Sequence, residues 1–128
     1  MIRVSPEIDI EKINALCESC AIVPEENALC YFIYVKDVLC GICLFKLIKG
    51  GGRIIALRNI KRDEDKDALI IAGRACLEFI ERTSGFDAYF EEDDAPTAAR
   101  LGFKERNGRL YLDMHGYFGT CAGCADKK

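Results

Sequence analysis

Apolar positions along the chain change their period several times, and each change marks an element. Ile2-Arg-Val4 is short enough for an edge strand, ended by Ser5-Pro6. Over residues 9–20, Ile10, Ile13, Leu16, Cys17 and Cys20 recur at spacings of three and four, with Glu11, Lys12, Asn14 and Glu18 between them. That period predicts an amphipathic helix with Asp9 as its N-cap. Pro24-Glu-Glu-Asn27 reads as a turn. Residues 28–35 are nearly all apolar, rich in aromatic and β-branched types and too few for a buried helix, which predicts a central strand. Lys36-Asp37 separates this run from a second one over residues 38–48, as in an antiparallel hairpin. Gly41 interrupts that second strand, the mark of a bulge or a close backbone approach. Lys49-Gly-Gly-Gly52 then turns the chain into a third strand from Arg53 to Ile60.

A charged loop over residues 61–66 leads into a helical pattern over residues 68–82. Leu69, Ile70, Gly73, Cys76, Leu77 and Ile80 form one face, and Arg74, Glu78, Glu81 and Arg82 lie towards the other. Gly85 stands near the place of a left-handed helix cap. A fifth strand spans residues 86–90, followed by the acidic run Glu91-Glu-Asp-Asp94. Asp93 or Asp94 can cap a short helix with Pro96 in its first turn, ended by Leu101-Gly-Phe103. Asn107-Gly108 between two strand-like runs is a strong hairpin signal. His115 onward reads as a loosely ordered tail.

The composition narrows the class. A chain of 128 residues, half hydrophobic and 30% charged, is long enough for one domain with a real core. A net charge of -3 argues against a general nucleic-acid binder, which needs a basic face. The sequence holds no apolar run that spans a bilayer and no signal-peptide pattern, which gives cytoplasmic location as the expectation, with a monomer or homodimer. Eight cysteines are many, but most sit inside apolar runs, where a free thiol behaves as a small hydrophobe.

This element order resembles the GNAT superfamily of N-acetyltransferases. Val35-Lys-Asp-Val-Leu-Cys-Gly41 is similar to the family's turn followed by a strand with an early glycine. Ala95-Pro-Thr-Ala-Ala-Arg-Leu-Gly-Phe103, leading into Lys-Glu-Arg-Asn-Gly-Arg, is similar to its last helix and terminal hairpin. The resemblance covers residues 1–114 as a single domain and leaves residues 115–128 as a cysteine-containing tail. It implies an α+β fold with a central mixed, mostly antiparallel sheet flanked by helices. It also implies transfer of an acetyl group from acetyl-CoA to an amine of unknown identity.

The family holds the coenzyme A pyrophosphate on the backbone N–H groups of a loop of the form Arg/Gln-x-x-Gly-x-Gly/Ala, using the physics of a helix N-terminus. By resemblance, Ile60, Lys61, Arg62, Lys66 and Ala68 become the cofactor-binding candidates. The family's glycines fall near Asp67 and Leu69 here. A carboxylate at that place repels a polyanion and weakens acetyl-CoA binding, unless Asp63, Asp65 or Asp67 simply caps the helix. The family's general-acid tyrosine corresponds to Ala98, which has no proton to give, and nothing separates Tyr89, Tyr111 or water as a substitute. Glu91 and Glu92 are the candidates for deprotonating the amine, against a plain reading as a solvated acidic loop. A degenerate, non-catalytic binding protein is the alternative function.

A third reading rests on the Cys-x-x-Cys pairs. Cys40 and Cys43 lie on a strand, and Cys17 and Cys20 on an apolar helix face. That leaves Cys121 and Cys124 in the tail as the credible metal or redox pair, with His115 as a further ligand and zinc as the metal.

Overall fold

The structure, a computed structural model, describes residues 1–61 and 66–118. Its elements are β1 (Ile2–Pro6), α1 (Ile10–Ser19), β2 (Leu29–Val35), β3 (Val38–Ile48) and β4 (Gly51–Asn59). They continue as α2 (Lys66–Thr83), β5 (Asp87–Phe90), α3 (Ala95–Leu101), β6 (Lys104–Arg106) and β7 (Arg109–Asp113). The strands form one sheet in the order β1-β2-β3-β4-β5-β7-β6, antiparallel everywhere except between β4 and β5. β1 runs through Pro6, paired with Tyr31, because an edge strand tolerates a residue with no N–H.

Helices cover both faces. α2 and α3 bury Leu69, Ala72, Cys76, Leu77, Ile80, Ala98 and Leu101 against Ile33, Cys43, Phe45, Ile54 and Leu57 of the sheet. On the opposite face α1 contributes Ile13, Leu16 and Cys17 against Phe32, Ile42, Leu44 and Ala56. Asp9 caps α1, accepting the N–H groups of Glu11 and Lys12. Ile10 belongs to the expected apolar face but stays 67% exposed, since the first turn of α1 lies outside the packed cluster. No helix among the described residues is long and apolar enough to cross a membrane.

Two bulges shape the sheet. Ile33 pairs with Gly41 but Tyr34 with Leu39, so Cys40, beside Gly41, is an extra residue on β3. Leu44 pairs with Ala56 but Phe45 with Ile54, which makes Ile55 an extra residue on β4.

Three local expectations are corrected. β4 begins at Gly51, not Arg53, because Gly51 and Gly52 are strand residues packed under β5 and α2. A Cβ on Gly51 would stand 1.7 Å from the Asp87 carbonyl oxygen, and one on Gly52 2.8 Å from the Ile80 side chain. Gly85 does not adopt the left-handed conformation. It is small because a Cβ there would lie 2.2 Å from the Gly50 carbonyl oxygen. The start of the tail is docked: Tyr117 packs on the α2-side core and its hydroxyl donates to the Leu101 carbonyl. Elsewhere Gly102 ends α3 at φ 105°, and Asn107 and Gly108 both have positive φ, as the hairpin requires.

Candidate active site

β4 and β5 run side by side only from Gly51/Asp87 to Ile54/Phe90. The last bond between them is the Glu91 N–H to the Ile54 carbonyl, 2.8 Å. Beyond it the strands part and leave a cleft of about 440 Å³. Leu57, Arg58, Asn59 and Ile60 form one wall, Cys20 the α1 side, Lys66 and Leu69 the first turn of α2, and Glu92, Asp93 and Asp94 the loop after β5. Cleft, parted strands and helix N-terminus are thus brought to one place by β4 and its bulge.

The bulge also decides which side chains meet. Arg53 and Arg58 are five residues apart, a spacing that points side chains to opposite faces of a regular strand. The extra Ile55 turns both towards the α1 side. Arg53 donates to Glu25 at 2.6 and 3.1 Å and to Glu91 at 2.7 Å. Arg58 donates to the carbonyls of Cys20 and Ala21 at the C-terminal end of α1, 2.8 and 3.3 Å, where a cation also suits the helix dipole. Its Nε and Nη2 grip Glu92 at 2.6 and 3.0 Å. Each arginine therefore ties the segment between α1 and β2 to the loop after β5. The bond from Arg53 holds the Glu25 carboxyl below its usual range, and the bond to Glu92 raises Arg58 further above its own.

Glu92 is the centre of the arrangement, with its side chain only 4% exposed. Its Oε2 accepts the Leu57 N–H at 3.0 Å as well as Arg58 Nε, and its Oε1 accepts the Asp93 N–H at 2.9 Å as well as Arg58 Nη2. The acidic run is consequently not a solvated loop. Glu91 is at the surface between Arg53 and Arg109, Glu92 is buried, and Asp94 caps α3. One-residue alternation beside a parting strand sends these carboxylates to different environments, which composition does not reveal.

The cofactor candidates divide likewise. Lys61 and Lys66 are exposed near the cleft, with Lys66 Nζ 3.5 Å from Asp94. The Ile60 N–H is already given to the Cys40 carbonyl at 2.7 Å, and Ala68 is fully buried in the core. Arg62, Asp63 and Asp65 lie outside the described residues. Asp67 does not cap α2 but sits inside its first turn, 2.8 Å from Arg100. Ala98 is buried, Tyr111 donates to Asp87, and Tyr89 lies under Arg109; none of the three lines the cleft.

Cys20 reaches the cleft wall, but burial pushes its thiol up against the opposing pull of Arg58, so it is a neutral thiol rather than a nucleophilic thiolate. Cys121 and Cys124 lie outside the described residues, and His115 stacks on Phe86 while bonding Asp113. Among the described residues no group of three His, Cys, Asp or Glu is arranged to hold a metal.

Asp94 offers a pH test of the loop. Burial raises its pKa, but bonds from the Thr97 hydroxyl and N–H, with Lys66 nearby, outweigh this and leave it lowered. A lowered folded pKa stabilises above the unfolded value and is lost as pH falls through the folded one. Asp94→Asn keeps a capping oxygen without the charge. Wild type should exceed it by about 1 kcal/mol at pH 6, and the gap should narrow and close as pH falls through and below the ordinary aspartate range in urea unfolding.

The chain matches no protein-family model and no curated protein. Solved structures do match. A Bacillus subtilis acetyltransferase in complex with CoA aligns at TM-score 0.66 and 13% identity, over 90% of this chain and 100% of that one. An acetyltransferase candidate from an Exiguobacterium species aligns at 0.62 and 14%, over 91% and 96%. YhhK of E. coli, an N-acetyltransferase candidate solved bound to coenzyme A, aligns at 0.62 and 12%, over 88% and 97%. The seven-stranded mixed sheet with its three helices is the GNAT acyl-CoA N-acyltransferase fold, an α+β architecture.

Proposed function

We propose that the protein is a GNAT-fold N-acetyltransferase that takes an acetyl group from acetyl-CoA and passes it to an amine. The observation that carries this reading is the parting of β4 and β5 beyond Ile54. It opens a cleft that runs from β4 to the first turn of α2, where Lys66 lines the wall and supplies positive charge for phosphates, with Lys61 exposed next to the lining residue Ile60. Structural neighbours crystallised or solved with coenzyme A support the same ligand. In direct transfer the amine nitrogen attacks the thioester carbonyl, the oxyanion is held by hydrogen-bond donors, and collapse expels the thiolate. Taking the amine's proton is assigned in this reading to Glu91, which lies at the surface beside the parting, or to Glu92 on the cleft wall. With Ala98 buried and Tyr111 bonded to Asp87, the thiolate takes its proton from water.

One observation favours a second reading, a GNAT-fold binding protein without turnover: Glu92 already fills the Leu57 N–H. Calorimetric titration of micromolar protein with acetyl-CoA tests the ligand, and thiol release on adding amines separates the two readings. Saturation at micromolar ligand, with thiol released when amines are added, is the expected result. No heat at millimolar ligand would sink the enzyme. A metal or redox role for Cys121 and Cys124 is checked by zinc analysis of the untagged protein.

A further inference from the structure

Apart from the cleft, α1 and the turn after it border a groove of about 460 Å³. Ile10 and Ile13 line it from one face of α1, Pro24 and Ala28 from the turn opposite, and Leu44 of β3 from the sheet. Glu25 and Glu26 set two carboxylates into this apolar lining. Such a lining complements an amine that carries an apolar group. We propose that the groove binds a small primary amine bearing an alkyl or aryl group, with its ammonium on Glu25 and Glu26 and its apolar part on Ile10, Ile13 and Leu44. The proposal rests on the acetyltransferase reading above and names the class of its acceptor.

The carboxylates are set to receive a cation without losing a partner. Arg53 places one bond on each Glu25 oxygen, at 2.6 and 3.1 Å, and leaves about half of that carboxylate's acceptor positions open. Glu26 makes no salt bridge among the described residues. The backbone fixes both, since the Ala28 N–H closes the turn on the Glu25 carbonyl at 3.3 Å and Asn27 takes a positive φ of 64°. The apolar side gives a use to Ile10, which faces the groove rather than the core. A groove of this volume suits a small molecule rather than a helix or strand of a partner.

The groove also adjoins the parted strands. Arg53 Nη1 touches Glu25 at 3.1 Å and Glu91 at 2.7 Å, and the Glu91 N–H makes the last bond between β4 and β5. An amine on Glu25 therefore lies beside a carboxylate offered above as its base. The ammonium gives that base one proton before attack. As the nitrogen–carbon bond forms, the carbon–sulfur bond breaks, and the second proton reaches the CoA thiolate through water.

Thiol release from saturating acetyl-CoA is measured with the n-alkylamines from ethylamine to hexylamine, and with glutamate as a polar acceptor. kcat/KM should rise about fourfold per methylene, the factor to which about 0.8 kcal/mol per buried methylene converts. Ile10→Ser, at an exposed position, should flatten that rise, and Glu26→Gln should lower kcat/KM for every alkylamine about threefold. Hexylamine alone, titrated into isotope-labelled protein, should shift the NMR amide signals of residues 10–14 and 25–28, and hexanoate should not. Thiol release that ignores chain length, or that favours glutamate, overturns the groove and leaves the acetyltransferase reading standing. Shifts at the groove with no thiol release from any amine uphold the apolar-amine site and overturn the transfer. Shifts produced by apolar peptides and by no small amine overturn the proposal in favour of a macromolecular partner. Neither shifts nor thiol release overturns both.

Discussion

Gly51→Ala is expected to cost more than about 3 kcal/mol in urea unfolding, enough to leave a marginally stable domain largely unfolded at 37 °C. The added Cβ would lie 1.7 Å from the Asp87 carbonyl oxygen and 2.9 Å from its nitrogen. Both are backbone atoms of the neighbouring strand, so no rotamer change relieves the contact. β4 and β5 must separate at the start of their short parallel ladder, and that ladder sets where the cleft begins. Gly108→Ala is the control. Its Cβ meets nothing within 4 Å, and its cost is confined to the positive φ of 79°, about 1 kcal/mol. Equal costs at the two sites would show that the strands give way more easily than their spacing indicates.

The second large effect is at Arg58. Arg58→Met should destabilise by about 3 kcal/mol, because it strands the Glu92 carboxylate, 4% exposed, without its counter-ion. The arginine is itself 37% exposed, which keeps the cost below that of a fully buried pair. It also releases the end of α1, since the bonds to Cys20 and Ala21 go with it. Arg58→Met/Glu92→Met should recover part of the loss, leaving only the Leu57 and Asp93 N–H groups to find water. Thermal unfolding of the four proteins completes the cycle. A single variant as stable as wild type would mean that Glu92 reaches solvent in the folded protein.

Arg53 needs a smaller statement. It shares its bonds between Glu25 and Glu91 at a surface where Arg109 stands ready as a second cation for Glu91. Redundancy of this kind makes a network tolerant of single losses, in contrast to the unshared grip of Arg58 on Glu92.

Much of the architecture was written locally. The spacings of Ile13, Leu16 and Cys17 and of Leu69, Cys76, Leu77 and Ile80 name the two packed helix faces, because a 3.6-residue period leaves few alternatives. Asp9, Asp94, Gly102 and Asn107-Gly108 act where they stand, through caps and turns that involve only near neighbours. The site was less legible. Glu92 could be named as a carboxylate beside the cleft, but its burial and its partners could not, since Leu57 and Arg58 are more than thirty residues away. Arg58 is a lone arginine in an apolar strand and carries no motif. Gly85 stands at a helix end, where sequence predicts a left-handed cap, yet its constraint comes from Gly50 across the fold.

The sequence alone determined the order and kind of the elements, their caps and turns, and the likeness to an acyltransferase framework, since each rests on contacts within a few residues. Only the tertiary structure decided that β4 bulges at Ile55, that Arg53 and Arg58 consequently share a face, and that Glu92 seats itself on the Leu57 N–H. A bulge is a mismatch between two strands, and one strand's residues do not state how the other will count against them.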